Sequence, residues 1–223
     1  MASGRAAGFS DRNPPKSPHS AMGRRNEHTR EELRKIALQA AEALVIEQGL
    51  AGLSTRKVVA RIGYTVGSLY MAFRNLDDLI VQMNERTLDA LQAELTAAIA
   101  HQPPPTVAIR ALAQAYIRFA LTDTRRWLAI YQHRLPEGES PPNSFTEKVA
   151  QMFELVQQQL ARLSPWRSPE DIALAARALW SSIHGVCILG FDHKLEVVGG
   201  RPVQEVAESL LENYLAGFVA RRS

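Results

Sequence analysis

Between Leu53 and Leu79 (LSTRKVVARIGYTVGSLYMAFRNLDDL) two short helical patterns meet at a glycine, and this stretch restricts the fold more tightly than any other. Ser54 suits an N-cap, because its hydroxyl accepts a bond from a free N–H of the first turn. From Thr55 to Ile62 the apolar residues Val58, Val59 and Ile62 fall on one face at helical spacing. Gly63 ends this helix, where a left-handed residue costs little. Thr65 caps a second helix, Val66 to Phe73, with Leu69 and Phe73 four apart and facing inward. A second helix so soon after a glycine turn reads as helix-turn-helix. Asn75 caps a third, with Asp77 and Asp78 in its first turn, where carboxylates suit the positive end of the dipole.

Upstream, Thr29 and Glu32 have the Thr-x-x-Glu spacing of a capping box. The helix they open runs to Gln48, with Gly49 past its end. Leu33, Ile36, Ala37, Ala40, Ala41, Leu44 and Val45 form its buried stripe, and Leu50 and Leu53 enter the same small core. The result is a three-helix head of about fifty residues.

Spacing alone does not separate a DNA-binding corner from an ordinary packed one. The residues go further. Val59-Ala60, Gly63, Tyr64-Thr65, Gly67, Ser68, Leu69-Tyr70, Phe73 and Leu79 stand in the pattern of the DNA-binding segment of the TetR family of bacterial transcriptional regulators. The stretch Arg30 to Leu79 resembles that segment. The resemblance implies an all-α chain with an N-terminal helix-turn-helix head and a C-terminal helical domain that binds a small-molecule effector and dimerises. It implies that Tyr70 meets the DNA backbone and that Val66, Gly67 and Met71 lie near bases. Physical reasoning adds the rest. Small or polar side chains belong where a recognition helix enters the major groove, and Thr65, Val66, Gly67 and Ser68 supply them. Thr65, Ser68 and Tyr64 have hydroxyls for phosphates or base edges, and Thr55 and Arg56 begin the preceding helix, where phosphate is expected. Two positions depart from the family pattern: Ala72 where an aromatic or histidine is common, and Leu76 where a lysine commonly meets phosphate. They support an alternative, an all-α ligand-binding or protein-interaction module that has lost DNA binding.

Charge is distributed in keeping with a nucleic-acid head. Residues 1–75 hold 12 Lys/Arg against 6 Asp/Glu, whereas residues 76–223 hold 14 against 17. A basic first third on a mildly acidic body suits phosphate binding. Residues 1–26 are rich in Ser, Pro, Gly, Ala and Arg with few apolar residues, so a disordered basic extension is expected, with Arg24 and Arg25 as a flexible arm. Cys187 is the single cysteine, so no internal disulfide forms and a cytoplasmic, nucleoid-associated location fits. No apolar run near eighteen residues stands out, so no membrane span is expected. P-loop, G-x-S-x-G, H-E-x-x-H and G-x-G-x-x-G motifs are absent, and the six histidines lack metal-ligand spacing. Neither an enzyme nor a cofactor nor a metal site is expected.

The head is placed at residues 27–75 and the body at 76–223, with about nine helices in all. A fourth helix from Leu76 to about Ala100 joins the two, and Pro103-Pro-Pro105 breaks the chain after it. Helical patterns follow over 106–121, 125–134, 143–163, 168–191 and 202–220. Effector-binding candidates are the body aromatics Tyr116, Phe119, Trp127, Tyr131, Phe153 and Trp180 with His184, although an aromatic at helical spacing is more often core and a lone histidine more often structural. Trp180-x-x-x-His184-Gly185 resembles the Trp-x-x-x-His-Gly motif of one class of TetR-type C-terminal domains. Ala176 and Ile183, with Leu210, Leu211, Tyr214 and Phe218 on the last helix, are the expected homodimer face, a four-helix bundle about a twofold axis. The expected partner is double-stranded DNA carrying a palindromic operator.

Overall fold

A computed structural model describes residues 29–191, 193–197 and 199–220 of the 223-residue chain. The expected basic extension, 1–26, lies outside the described residues. Within them the fold is all-α, with ten helices and a single 3-10 turn at Leu50–Gly52.

The head is α1 (Arg30–Gln48), α2 (Thr55–Ile62) and α3 (Val66–Ala72). Its helix ends form as the residues dictate. Thr29 Oγ1 accepts from Glu32 N, and the Glu32 carboxylate accepts from Thr29 N at 2.6 Å. Ser54, Thr65 and Asn75 each cap the helix that follows with a side-chain oxygen. Gly63 takes φ 74° and ψ 26°, and an added Cβ would meet nothing within 4 Å. The cost of a side chain there is conformational, not steric. Gly63→Ala is therefore expected to destabilise the head by about 1–2 kcal/mol, read as a lowered urea midpoint.

The body follows with α4 (Leu76–Ala98), α5 (Pro105–Thr122), α6 (Thr124–Gln132), α7 (Asn143–Leu163), α8 (Pro169–Phe191), α9 (Lys194–Val197) and α10 (Val203–Ala220). The single-turn α9 raises the count above nine, because four residues carry no period to read. Gly190 lets α8 and α10 approach closely: a Cβ there would lie 2.3 Å from Val203 Cγ2.

Two apolar cores form. One joins α1–α3 to the first turns of α4 through Leu79, Ile80 and Met83. The other fills the body, from Leu91 and Leu95 of α4 to Leu215 and Phe218 of α10. The cores divide within α4 rather than at its start, so that helix belongs to both. Among the described residues α8 alone is long and apolar enough to cross a membrane, with mean hydropathy 1.6. The sequence reading had passed over it. Its apolar side, from Ile172 through Ala176, Leu179 and Ile183 to Cys187, is buried in the body core.

Candidate nucleic-acid interface and ligand cavity

The helix α3 rests on α2 and α1 through Leu69 and Ala72, with Phe73 just beyond its end, all 2% exposed. Those anchors fix which residues face out. Val66, Tyr70 and Met71 are exposed at 38%, 47% and 71%, an unusual share for a helix of seven residues. Gly67 lies beside them with only Thr65 Oγ1 near the site of a Cβ, at 3.8 Å. At the helix start Thr65 Oγ1 accepts from Ser68 N at 3.1 Å and stands 2.9 Å from Ser68 Oγ. Tyr70 Oη is 3.5 Å from Thr55 Oγ1, so the start of α2 and the middle of α3 meet on one surface. Arg56 is exposed there and makes no ion pair among the described residues. Tyr64 is half-buried and packs against the head core. All nine sequence-derived candidates thus fall on or beside one side of the head.

The basic residues are not equally available. Lys57 Nζ bonds Gln48 Oε1 and the Gly52 carbonyl, at 2.5 and 2.8 Å. Arg61 pairs with Glu47 at 2.6 Å, holding the Glu47 carboxyl below its usual range. Arg34 donates to the Ala72 carbonyl at 3.0 Å and lies over the Phe73 ring. Three cations counted toward phosphate are therefore bonded within the head. Ala72 is buried and Leu76 packs against the head core, so both departures from the family pattern serve packing.

The body holds a cavity of about 240 Å³, partly open to solvent, between α4, α5, α6, α7 and α8. Tyr116, Tyr131, Phe153 and Trp180, four of the effector candidates, line it. Phe119, Trp127 and His184 do not. Phe119 and Trp127 are 1% and 0% exposed and fill core. The His184 ring packs beside Trp127 and Trp180, with centroids 4.8 and 5.1 Å away. Its Nδ1 lies 2.9 Å from Tyr116 Oη, which lies 3.1 Å from Tyr131 Oη. Burial holds His184 below the usual histidine range and raises both phenols, Tyr131 to about 12. The remaining wall is mostly aliphatic, including Leu88, Leu91, Leu95 and Leu112. No sequence signal marks these residues, because an apolar position reads the same whether it faces a neighbour or a void.

The short α6 lies between cavity and head. Trp127 and Tyr131, four apart, face the body; Arg125 and Ala129, also four apart, face the head. Ala129 is fully buried in the head core, and its carbonyl accepts from Asn84 Nδ2 at 3.2 Å. Arg125 Nη1 donates to the Ile46 carbonyl at 2.8 Å and to that of Glu47, capping the free end of α1. His133 Nε2 lies 2.9 Å from Asp77 Oδ1 at the start of α4. None of these ties was visible in the sequence, since each joins residues more than forty positions apart.

Four of the six residues expected at the dimer face lie inside the protomer. Ala176, Ile183, Leu211 and Phe218 are buried in the protomer's own core, so they have no area to offer a second chain. Leu210 and Tyr214 are half-buried, and Tyr214 Oη donates to the Ala175 carbonyl at 2.8 Å. Cys187 is also buried, and desolvation lifts its thiol to about 12. A raised folded value favours the protonated state, so its contribution to stability is complete below the unfolded value near 8.5 and fades as pH rises toward 12. At pH about 8 the native protein is expected to resist iodoacetamide, with full alkylation on unfolding. Equal rates in both states would refute the buried assignment.

This fold and this exposed α3 define a helix-turn-helix head on a helical body with a cavity. The model of the bacterial regulatory proteins of the TetR family matches residues 37–83, and that of the tetracyclin repressor-like C-terminal domain matches residues 109–214. Together they take in more than half of the chain, which belongs to the TetR family of DNA-binding transcriptional regulators, a non-enzymatic family. Solved structures agree on the fold. A protein of unknown function from Rhodococcus sp. RHA1 is 24% identical, with TM-score 0.71 over 86% of this chain and 97% of that one. A TetR-family regulator from Streptomyces coelicolor is 19% identical, with TM-score 0.66 over 84% and 90%. FadR from Bacillus subtilis, in complex with stearoyl-CoA, is 13% identical, with TM-score 0.63 over 82% and 98%. No curated protein matches this chain.

Proposed function

We propose that the protein is a ligand-responsive repressor that binds a palindromic operator as a homodimer. The observation that carries this reading is the outer surface of α3, where Gly67 sits among exposed Val66, Tyr70 and Met71 on a helix locked to the head by Leu69 and Phe73. Such a surface fits a major groove, with Thr55 and Arg56 beside it for phosphate. Residues 27–75 serve as the head and 76–223 as the body. The protein works in the cytoplasm, at the DNA.

The dimer is read on the outer sides of α8 and α10. Leu174 and Leu189 are exposed on α8 at 66% and 43%, and between them Ala178, Ser181 and Gly185 keep the same side of the helix small. Val206, Leu210 and Gly217 share one flank of α10. Small residues permit close approach, and apolar side chains at that exposure favour being covered. Half-sites then lie about 34–36 Å apart or a small multiple of that. The Trp180-x-x-x-His184-Gly185 segment fits the corresponding class of C-terminal domain: Trp180 lines the cavity, His184 backs it, and Gly185 faces outward.

The cavity is read as the effector site, a reading supported by the ligand held by FadR. A ligand shifts the protein only by its difference in affinity between two states. The helix α4, which belongs to both cores, is the first arm of the coupling. The contacts of α6, with Tyr131 in the cavity wall and Arg125 and Ala129 in the head, make it the second arm.

The test is a titration of the purified protein against DNA flanking its own gene, with footprinting at two salt concentrations. A protected palindrome, bound well above unrelated DNA and more weakly at higher salt, is the expected result. Absence of binding at low salt would sink the repressor reading and favour a ligand-binding module.

A further inference from the structure

The cavity has one polar corner in an otherwise apolar wall, and that pattern defines a ligand class. No residue that lines it carries a charge. Tyr116 Oη stands 3.1 Å from Tyr131 Oη and 2.9 Å from His184 Nδ1, so three groups form a hydrogen-bonded chain ending at the cavity. The chain can run either way. With Nδ1 bare, Tyr116 donates to His184 and accepts from Tyr131, leaving Tyr131 Oη a lone pair for a ligand hydroxyl. With Nδ1 protonated in the neutral ring, His184 donates to Tyr116, Tyr116 to Tyr131, and the Tyr131 O–H is free for a ligand carbonyl. Burial disfavours charge on all three groups at neutral pH. An ionic head group would therefore meet no counter-charge, and an unpaired buried charge is costly.

Size narrows the class. An engineered apolar cavity of about 150 Å³ accepts benzene, so in proportion the sheltered part of this one, which is partly open to solvent, covers roughly ten non-hydrogen atoms.

We propose that the cavity binds a neutral, mainly apolar molecule of about ten to twelve non-hydrogen atoms bearing one hydroxyl or carbonyl, held by Tyr131 at the end of the Tyr131–Tyr116–His184 chain. This rests on reading the body as ligand-binding, and not on DNA binding. The test therefore contains no DNA, and its failure would leave the operator titration untouched.

The probes are 1-decanol, 2-decanone, decanoate and decylammonium at about pH 7, titrated by calorimetry and by the fluorescence of the chain. The alcohol and the ketone are expected to bind at least about tenfold more tightly than either ion, given the cost of an unpaired charge. Tyr131→Phe, which keeps the ring and the fold, is expected to weaken the alcohol and the ketone by about fivefold, the worth of one hydrogen bond. It should leave the ions unaffected. Val149→Phe, which fills the cavity from α7, should abolish binding of all four. Equal or tighter binding of an ion, no effect of Tyr131→Phe, alcohol binding that survives Val149→Phe, or no binding of any probe would each overturn the proposal.

Discussion

Gly67→Glu is expected to abolish operator recognition while the fold stays intact. The position is exposed, its backbone is ordinary helix, and the nearest atom to an added Cβ is Thr65 Oγ1 at 3.8 Å. A glutamate at the second position of α3 even suits the helix dipole, so the melting temperature should not fall. Against DNA the change is severe. It adds bulk where the backbone approaches the groove and a negative charge facing phosphates, and a like-charge contact of this kind costs several kcal/mol. Operator affinity should drop by roughly a hundredfold or more. Gly67→Ala, which adds only a methyl, isolates the steric part and should cost much less. The measurement is the footprinting titration, with circular dichroism confirming the helix content. Unchanged affinity in the glutamate variant would remove α3 from the DNA interface.

Trp127→Ala should produce the largest loss of stability. The side chain is fully buried, with ring centroids of Tyr131, His184 and Phe191 at 5.0, 4.8 and 5.3 Å. Truncating a buried tryptophan costs about 3–5 kcal/mol, a large share of the about 5–15 kcal/mol that holds an ordinary domain together. For a chain of this length the thermal midpoint should fall by roughly 6–20 °C. As a control, Val107→Ala on α5, at a residue 51% exposed, should move it little. The two variants are compared by calorimetry. A midpoint unchanged in Trp127→Ala would contradict its place at the centre of the body core. The void left beside Tyr116 and Tyr131 should also loosen α6, so that any effector loses its hold on the head.

The head was almost wholly legible in the sequence because its signals are local. A capping box, three side-chain caps and a left-handed glycine each act within a few residues, and each formed where it was read. Leu69 and Phe73 went inside because the helical period leaves them no other face. The body was legible as helices but not as a site. Of the aromatics read as effector contacts, Trp127 and Phe119 became core while Tyr131 and Trp180 reached the cavity wall. The period that buries one residue of such a helix buries its neighbour two turns on, and says nothing of a gap between helices. Four of the six residues expected at a dimer face, Ala176, Ile183, Leu211 and Phe218, lie inside the protomer for a related reason. The more apolar sides of α8 and α10 were assigned to a partner chain, whereas the protomer's own core claims the most apolar side first, and the outer side of α8 is read from small residues and two exposed leucines.

The sequence by itself determined the all-α class, the helix-turn-helix, the caps of the head helices and the family, since each rests on residues close along the chain. Only the tertiary structure decided that Arg34, Lys57 and Arg61 are bonded within the head, that α6 bridges Ile46 and Glu47 to the cavity, and that Tyr116, Tyr131 and His184 form one hydrogen-bonded chain. Except for the Lys57 bonds to Gln48 and Gly52, nine and five positions away, these are meetings of residues well separated in sequence. No period or motif encodes them, because they exist only once the helices have packed.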